Sequence, residues 1–318
     1  MTAPAQDAPH RASLIFPLVL LVGGASIYGS IFAANKIVAE AGVPPMAYVF
    51  WQSVGGGLIL FVLSALTRQL PPVSYRHLRQ YAVTSTLGVV IPVIVLAIVA
   101  AKLQAGVVTL LITLTPAITY LYAMLFRVER FRWLGIGGVV FGLGGVALIV
   151  LPEGSLTAAG DAGWVLLLLI VPFCFATNNI FVALVSPPRT SSLMLACGLV
   201  LAAALISLVV MLIGEGFYGF WEAPASGSWG ILWASGVNAV TFFCMFEIIR
   251  RTGPVFFAQY NYVIVIAGLI WSLVLFDENL SAWIWIAFAV MLVGLGLANE
   301  AARRGVRERE ALADTPAG

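Results

Sequence analysis

The sequence predicts an all-α integral membrane protein with ten transmembrane helices, arranged as two inverted five-helix repeats. Three observations predict this class. The first is composition: 61% of the 318 residues are hydrophobic and 9% are charged, with a mean hydropathy of +1.03. A soluble domain carries about a quarter charged residues, so lipid is the solvent for most of this chain. The second is run length. A spanning helix needs about 20 apolar residues at ~1.5 Å rise each, and the chain holds ten such runs. The ~10-residue alternating segments of a β-barrel are absent. The third is an internal repeat. Leu110 to Ile149 reads as an apolar helix with Pro116, a charged turn at Arg127-Val128-Glu129-Arg130, and a glycine-striped apolar helix. The layout returns 149 positions later, where Lys102 answers to Arg251, Glu129 to Glu278 and Gly145 to Gly294. Upstream, Leu18, Ile31 and Phe32 meet Leu167, Ile180 and Phe181 at the same offset. The shared spacing of turns and apolar runs carries the repeat more than the identities do.

Taken in order, the expected spans are Leu14–Val38, Met46–Leu66, Tyr81–Ala100, Gly106–Phe126, Trp133–Leu151, Trp164–Val185, Leu193–Ile213, Trp229–Ile249, Val255–Phe276 and Ala282–Glu300. Breakers separate them, among them Pro44-Pro45, Pro71-Pro72, Pro152 with Gly154, and Pro187-Pro188. The first run is too long, and too polar at its far end, for a cleaved signal sequence. The organisation is therefore a tail (1–13), a first repeat (14–151), an outer linker (152–163), a second repeat (164–300) and a basic tail (301–318).

Charge sets the orientation. Fourteen of the sixteen basic residues, from Arg11 to Arg309, fall on one side of this layout; only Lys36 and Lys102 fall on the other. Positive residues favour the cytoplasmic side, so both termini are expected there. Trp133, Trp164, Trp229, Trp233, Trp283 and Trp285 sit at span ends, as an interfacial belt does. Five spans per repeat is an odd number, so the second repeat enters the membrane from the opposite side. Inverted repeats of this kind mark transporters.

The pattern resembles the drug/metabolite transporter superfamily, of the EamA type with two EamA-like repeats. The matching positions are Tyr28-Gly29-Ser30-Ile31-Phe32 with Lys36 in the first span and Pro116 in the fourth. To these add the turn residues Glu129 and Glu278, and Gly135, Gly142 and Gly145. The resemblance runs from about Leu14 to Glu300. Two departures stand out: Val265 replaces the fourth-span proline in the second half, and Trp51-Gln52 stands where relatives commonly carry arginine in the second span. The resemblance implies secondary export or exchange of small metabolites through a cavity between the repeats, in a bacterial inner membrane.

Enzymatic classes lack their residues. There is no Gly-x-Ser-x-Gly, no His-Glu-x-x-His and no Gly-Lys phosphate loop. His10 and His77 lie outside the spans. Cys174, Cys197 and Cys244 all fall inside apolar runs, an odd buried set that argues against a disulfide framework or a metal site. No cofactor and no metal are expected. The net charge of +2 is spread over loops, so nucleic acid is not an expected partner. The expected partners are the bilayer, a small-molecule substrate and, optionally, a second copy in a homodimer.

Polar residues inside spans are costly in lipid and face the bundle interior. Asn178 and Asn179 are adjacent amides in the sixth span, either bonding between helices or lining a cavity. Asn261 and Tyr262 in the ninth span are cavity candidates beside Gln259 and Tyr260. Asn238 shares a face with Thr241 in the eighth, and Tyr28 lies in the first. Thr113 and Pro116 share a face of the fourth span. Pro116 frees a carbonyl, which either a neighbouring hydroxyl or a ligand can meet. Glu247 reads either as a local pair with Arg251 or as a proton-coupling carboxylate. Lys36 reads either as snorkelling or as a contact for a substrate carboxylate. A neutral, zwitterionic or amphipathic solute suits this set, with amino-acid-like metabolites first. Multidrug efflux is the alternative within the class. A non-transporting membrane scaffold or assembly factor is the alternative outside it.

Overall fold

The computed structural model describes residues 12–126, 131–150, 161–185, 190–252, 260–276 and 281–313, and these are helical almost throughout. The first expected span is two helices, α1 (Ala12–Gly29) and α2 (Ile31–Glu40), meeting at Ser30. Next come α3 (Pro45–Leu66) and α4 (Tyr75–Ser85), which runs through a π-turn at Thr86–Val90 into α5 (Ile91–Ala100). Then follow α6 (Ala105–Ile112), α7 (Thr115–Leu125) and α8 (Trp133–Val150). The rest comprises α9 (Asp161–Leu168), α10 (Ile170–Val185), α11 (Ser192–Gly214), α12 (Ala225–Thr252), α13 (Tyr260–Phe276) and α14 (Ala282–Ala313).

Among the described residues, seven stretches are long and apolar enough to cross a bilayer: Leu18–Glu40, Pro45–Leu66, Tyr75–Ala100, Ala105–Leu125, Ala162–Val182, Ser192–Gly214 and Ala282–Gly305. Trp133–Ile149 and Val263–Phe276 are apolar but shorter. The 28-residue α12 covers the expected eighth span. The chain is thus a multi-pass helical membrane protein.

Three of the helix interruptions have one cause. Proline donates no N–H, and its ring clashes with the carbonyl four residues back. Pro92, Pro116 and Pro172 each sit in the first turn of the downstream piece, where a missing donor is tolerated. The π-turn, the Thr113–Leu114 turn and Leu169 fall just before them. At the fourth span the chain tightens: the Thr113 and Leu114 amides donate to the carbonyls of Leu110 and Leu111, three residues back. The break in the first span has another origin. There the Ser30 hydroxyl donates to the Ile27 carbonyl at 2.5 Å, competing with the helix ladder.

Several helices differ in length from the sequence reading, α12 among them. α4 begins at Tyr75 rather than Tyr81, because its polar first turns are helical though not lipid-like. Its His77 bridges Ser74 Oγ at 2.7 Å and Thr190 Oγ1 at 2.9 Å. α14 continues past Glu300 to Ala313, so the basic tail starts as helix. No proline lies between Glu300 and Ala313, and the Arg304–Glu300 pair at 3.0 Å spans one turn.

α8 lies along α14 and α3 along α11, the two most extensive pairings. α1 packs on α13 and α12, α2 on α12, α3 on α12, α10 on α7 and α5, and α11 on α4 and the π-turn. α6 meets α13. One core cluster draws on both halves, from Leu21, Phe32, Val95 and Leu110 to Ile231, Ile264 and Met291. The glycine stripe of α8 serves two neighbours. Gly135 and Gly142 receive Tyr120 and Leu114 of the fourth span, while Gly138 and Gly145 receive Gly294 and Met291 of α14.

Candidate functional site

A buried polar seam lies where α12 meets the first three helices. Three rungs cross it. Trp233 Nε1 donates to Ser30 Oγ at 2.8 Å, tying α12 to the break in the first span. The Tyr48 hydroxyl donates to Asn35 Oδ1 at 2.5 Å, joining α3 to α2. Asn238 Nδ2 donates to Gln52 Oε1 at 2.8 Å, joining α12 to α3. Tyr48 and Gln52 stand one turn apart on a single face of α3. Tyr48, Asn35, Ser30 and Gln52 are all buried. Small residues allow the approach: a Cβ at Gly55 would strike the Ser235 side chain, and one at Gly56 would lie 3.7 Å from Asn238 Cβ. Nearby, a Cβ at Gly24 would come within 3.3 Å of the Tyr260 hydroxyl. Tyr28 is half-buried, its ring edge-on to Phe32 at 6.2 Å.

A second polar cluster forms where α10 meets the third and fourth spans. Asn178 and Asn179 part company there, as neighbours on a helix must. Asn178 lies against the π-turn, its Nδ2 3.2 Å from where a Gly88 Cβ would stand, and its buried Oδ1 has no partner among the described residues. Asn179 is exposed and donates from Nδ2 to Thr119 Oγ1 at 3.3 Å. The helices hold amides at both clusters.

The remaining candidates scatter. Thr113 Oγ1 donates to its own helix, to the Leu110 carbonyl at 2.7 Å. The carbonyl freed by Pro116 belongs to Ile112, and Thr115 Oγ1 donates to it at 2.8 Å. A neighbouring hydroxyl thus meets that carbonyl. Glu247 is half-buried and lines a small pocket of about 50 Å³ with Ser192, Leu193, Ala196 and Phe243. Lys36 places its ammonium 4.4 Å from the Phe276 ring centroid, a cation–π contact at the end of α13. Asn261 and Tyr262 lie in the first turn of α13, with side chains outside the described residues. Glu129, Glu278 and Gln259 also lie outside them.

Sequence reasoning singled out Asn238 but passed over Gln52, Asn35, Tyr48 and Ser30 as site residues. The rule that intramembrane polar groups face the interior applies to Gln52 and Asn35 as it does to Asn178. Near the start of α3, Glu215 accepts from the Met46 and Ala47 amides at 3.1 and 3.3 Å, and Trp51 Nε1 donates to the Tyr218 carbonyl at 2.9 Å. A carboxylate at a helix N-terminus is stabilised by the helix dipole. The 215–224 loop is thereby tied down over α3. Burial, and then the Glu222 carboxylate, push the Tyr218 phenol above its ordinary range.

A bundle of apolar helices that holds amides at two clusters defines a polytopic membrane protein. Residues 15–151 match the model of the EamA-like transporter family, which falls in the drug/metabolite transporter superfamily. A solved structure titled only "Crystal structure of protein" shares the fold, with a TM-score of 0.63 at 15% identity, over 89% of this chain and 98% of that one. No curated protein matches.

Proposed function

We propose that this chain is a secondary transporter that exports or exchanges small, neutral or zwitterionic metabolites of amino-acid-like character. It works by alternating access between two inverted five-helix repeats of ten membrane spans. The observation that carries this reading is how the helix pairings exchange between the halves. Shifting each span by five turns the contact of the first and ninth spans into that of the sixth and fourth. The same shift turns the first-and-eighth contact into the sixth-and-third, and the second-and-eighth into the seventh-and-third. The pairs α3 with α11 and α8 with α14 map onto themselves. All of these contacts are present. A chain whose halves pack interchangeably has two arrangements of similar energy, as alternating access requires.

The two amide clusters then lie on opposite halves of the bundle. Asn178, Asn179, Asn238, Asn261, Tyr262, Tyr28, Thr113 and Pro116 are the substrate-facing set in this reading, with Glu247 the proton carrier and Lys36 a contact for a substrate carboxylate. Amides and hydroxyls bind solutes by hydrogen bonding without a fixed charge, which favours neutral and zwitterionic cargo. The test is counterflow in proteoliposomes loaded with a panel of neutral amino acids. Purified protein should accelerate exchange of at least one of them over protein-free vesicles. Asn178→Ala should then raise its KM roughly tenfold, the loss of about one hydrogen bond. Exchange no faster than in empty vesicles for the whole panel would leave the scaffold reading standing instead.

A further inference from the structure

Within the first cluster one group has more to offer than the fold uses. Gln52 is 1% exposed, and its carbonyl is engaged by Asn238 Nδ2 at 2.8 Å. That contact fixes the amide plane and turns the Nε2 hydrogens away from Asn238. Nε2 is buried and meets no acceptor among the described residues. A primary amide carries two donors there, and leaving buried donors unmet is a standing cost of the conformation. The neighbouring rung differs: one turn earlier, the Tyr48 hydroxyl is satisfied by Asn35.

Packing does not require the amide. α12 already closes on α3 through Gly55 and Gly56 against Ser235. The chain also contains its own comparison. At the repeat offset of 149, Gln52 corresponds to Leu201 and Asn238 to Val89. Those residues lie on α11 and on the π-turn, two elements that pack together. The two corresponding positions in the other half are thus both apolar. The amide pair is therefore an addition on one side only, and it breaks the equivalence of the halves.

We propose that Gln52 is a specificity-determining residue. Its Nε2 donors bind an acceptor oxygen of the transported solute, a carboxylate or a carbonyl, while Asn238 holds the amide in the donating orientation. This rests on the transport reading above and adds the substrate group recognised in the first half. A solute with no acceptor oxygen gains nothing from the site. One with a carboxylate or carbonyl replaces the unmet donors with hydrogen bonds.

The test uses the full chain with the pair converted to its counterpart, Q52L together with N238V, so that neither partner is left unpaired. Two measurements are made. Thermal unfolding in detergent should put the double variant's Tm within about 3 °C of wild type or above it. A clear fall would make the pair structural and overturn the assignment. Uptake into proteoliposomes is then compared for L-alanine, L-alaninamide and ethylamine, which present a carboxylate, a carbonyl and no acceptor. Wild type should favour the first two over ethylamine, and the double variant should lose that preference by at least tenfold. Loss for alanine alone assigns the site to carboxylates, and loss for both assigns it to carbonyl oxygen generally. Intact preference in a stably folded variant sinks the Gln52 role while leaving transport standing. Wild type that moves none of the three removes the transport reading along with it.

Discussion

A Cβ added at Gly138 would sit 2.8 Å from the Gly294 carbonyl oxygen and 2.9 Å from the Ala298 nitrogen. These are backbone atoms of a helix, so they cannot swing aside. Gly144, two turns further along the same helix, has nothing within 4 Å of its added Cβ. Gly138→Ala should therefore push α8 from α14 and cost about 1–3 kcal/mol, the usual penalty of overpacking. Gly144→Ala should be neutral or slightly stabilising, since alanine is the better helix former by about 1 kcal/mol. Thermal unfolding of the two variants in one detergent checks the contrast, and equal Tm values would refute it. The sequence showed the glycine stripe. It did not show that the stripe divides between two neighbours, because residues 60° apart on a helix look alike in a pattern. The buried amides were legible to the same degree. A polar residue in an apolar run announces that it faces inward, as Asn178 and Asn238 do. It does not announce a partner 186 positions away, which is how Gln52 was passed over.

At the scale of elements, apolar run length pointed to the helical membrane class, whereas proline chemistry decided where three of the helices interrupt. The fourth span makes the mechanism testable. Its Ile112 carbonyl has lost a backbone donor to Pro116 and has the Thr115 hydroxyl instead, at 2.8 Å. Thr115→Val should leave that carbonyl unmet and destabilise the protein by about 1 kcal/mol. In a Pro116→Ala background the amide at 116 can take over the carbonyl, so the same Thr115→Val change should cost close to nothing. The double-mutant cycle should thus show a coupling of about 1 kcal/mol between adjacent residues. Additive effects would mean the hydroxyl is not filling the proline's place. The sequence exposed the freed carbonyl but could not choose between hydroxyl and ligand, because rotamers do not follow from residue order. The break at Ser30 was less legible still, since no proline marks it and a serine hydroxyl bonds back to its own helix in many unbroken helices.

At the scale of the molecule, the proposed inversion of the halves makes a demand that neither residues nor helices make alone. Val73 lies in the connection between α3 and α4, and 149 positions later Glu222 lies in the connection between α11 and α12. If the halves were parallel copies, these two connections would sit on one side of the membrane. If they are inverted, they sit on opposite sides. Val73 and Ser226, four residues beyond Glu222, are both exposed and so can report their side. The native thiols are removed first as Cys174→Ala, Cys197→Ala and Cys244→Ala, so that only introduced cysteines react. Val73→Cys and Ser226→Cys are then treated, one at a time, with a membrane-impermeant maleimide on intact cells and on inverted vesicles. Val73→Cys should label only in inverted vesicles, and Ser226→Cys only in intact cells. The basic residues clustered on the Val73 side, such as Arg76 and Arg79, set that direction. The reversed labelling would correct the orientation alone. Labelling of both positions from the same side would end the inversion, and with it the argument that interchangeable halves give this chain two access states.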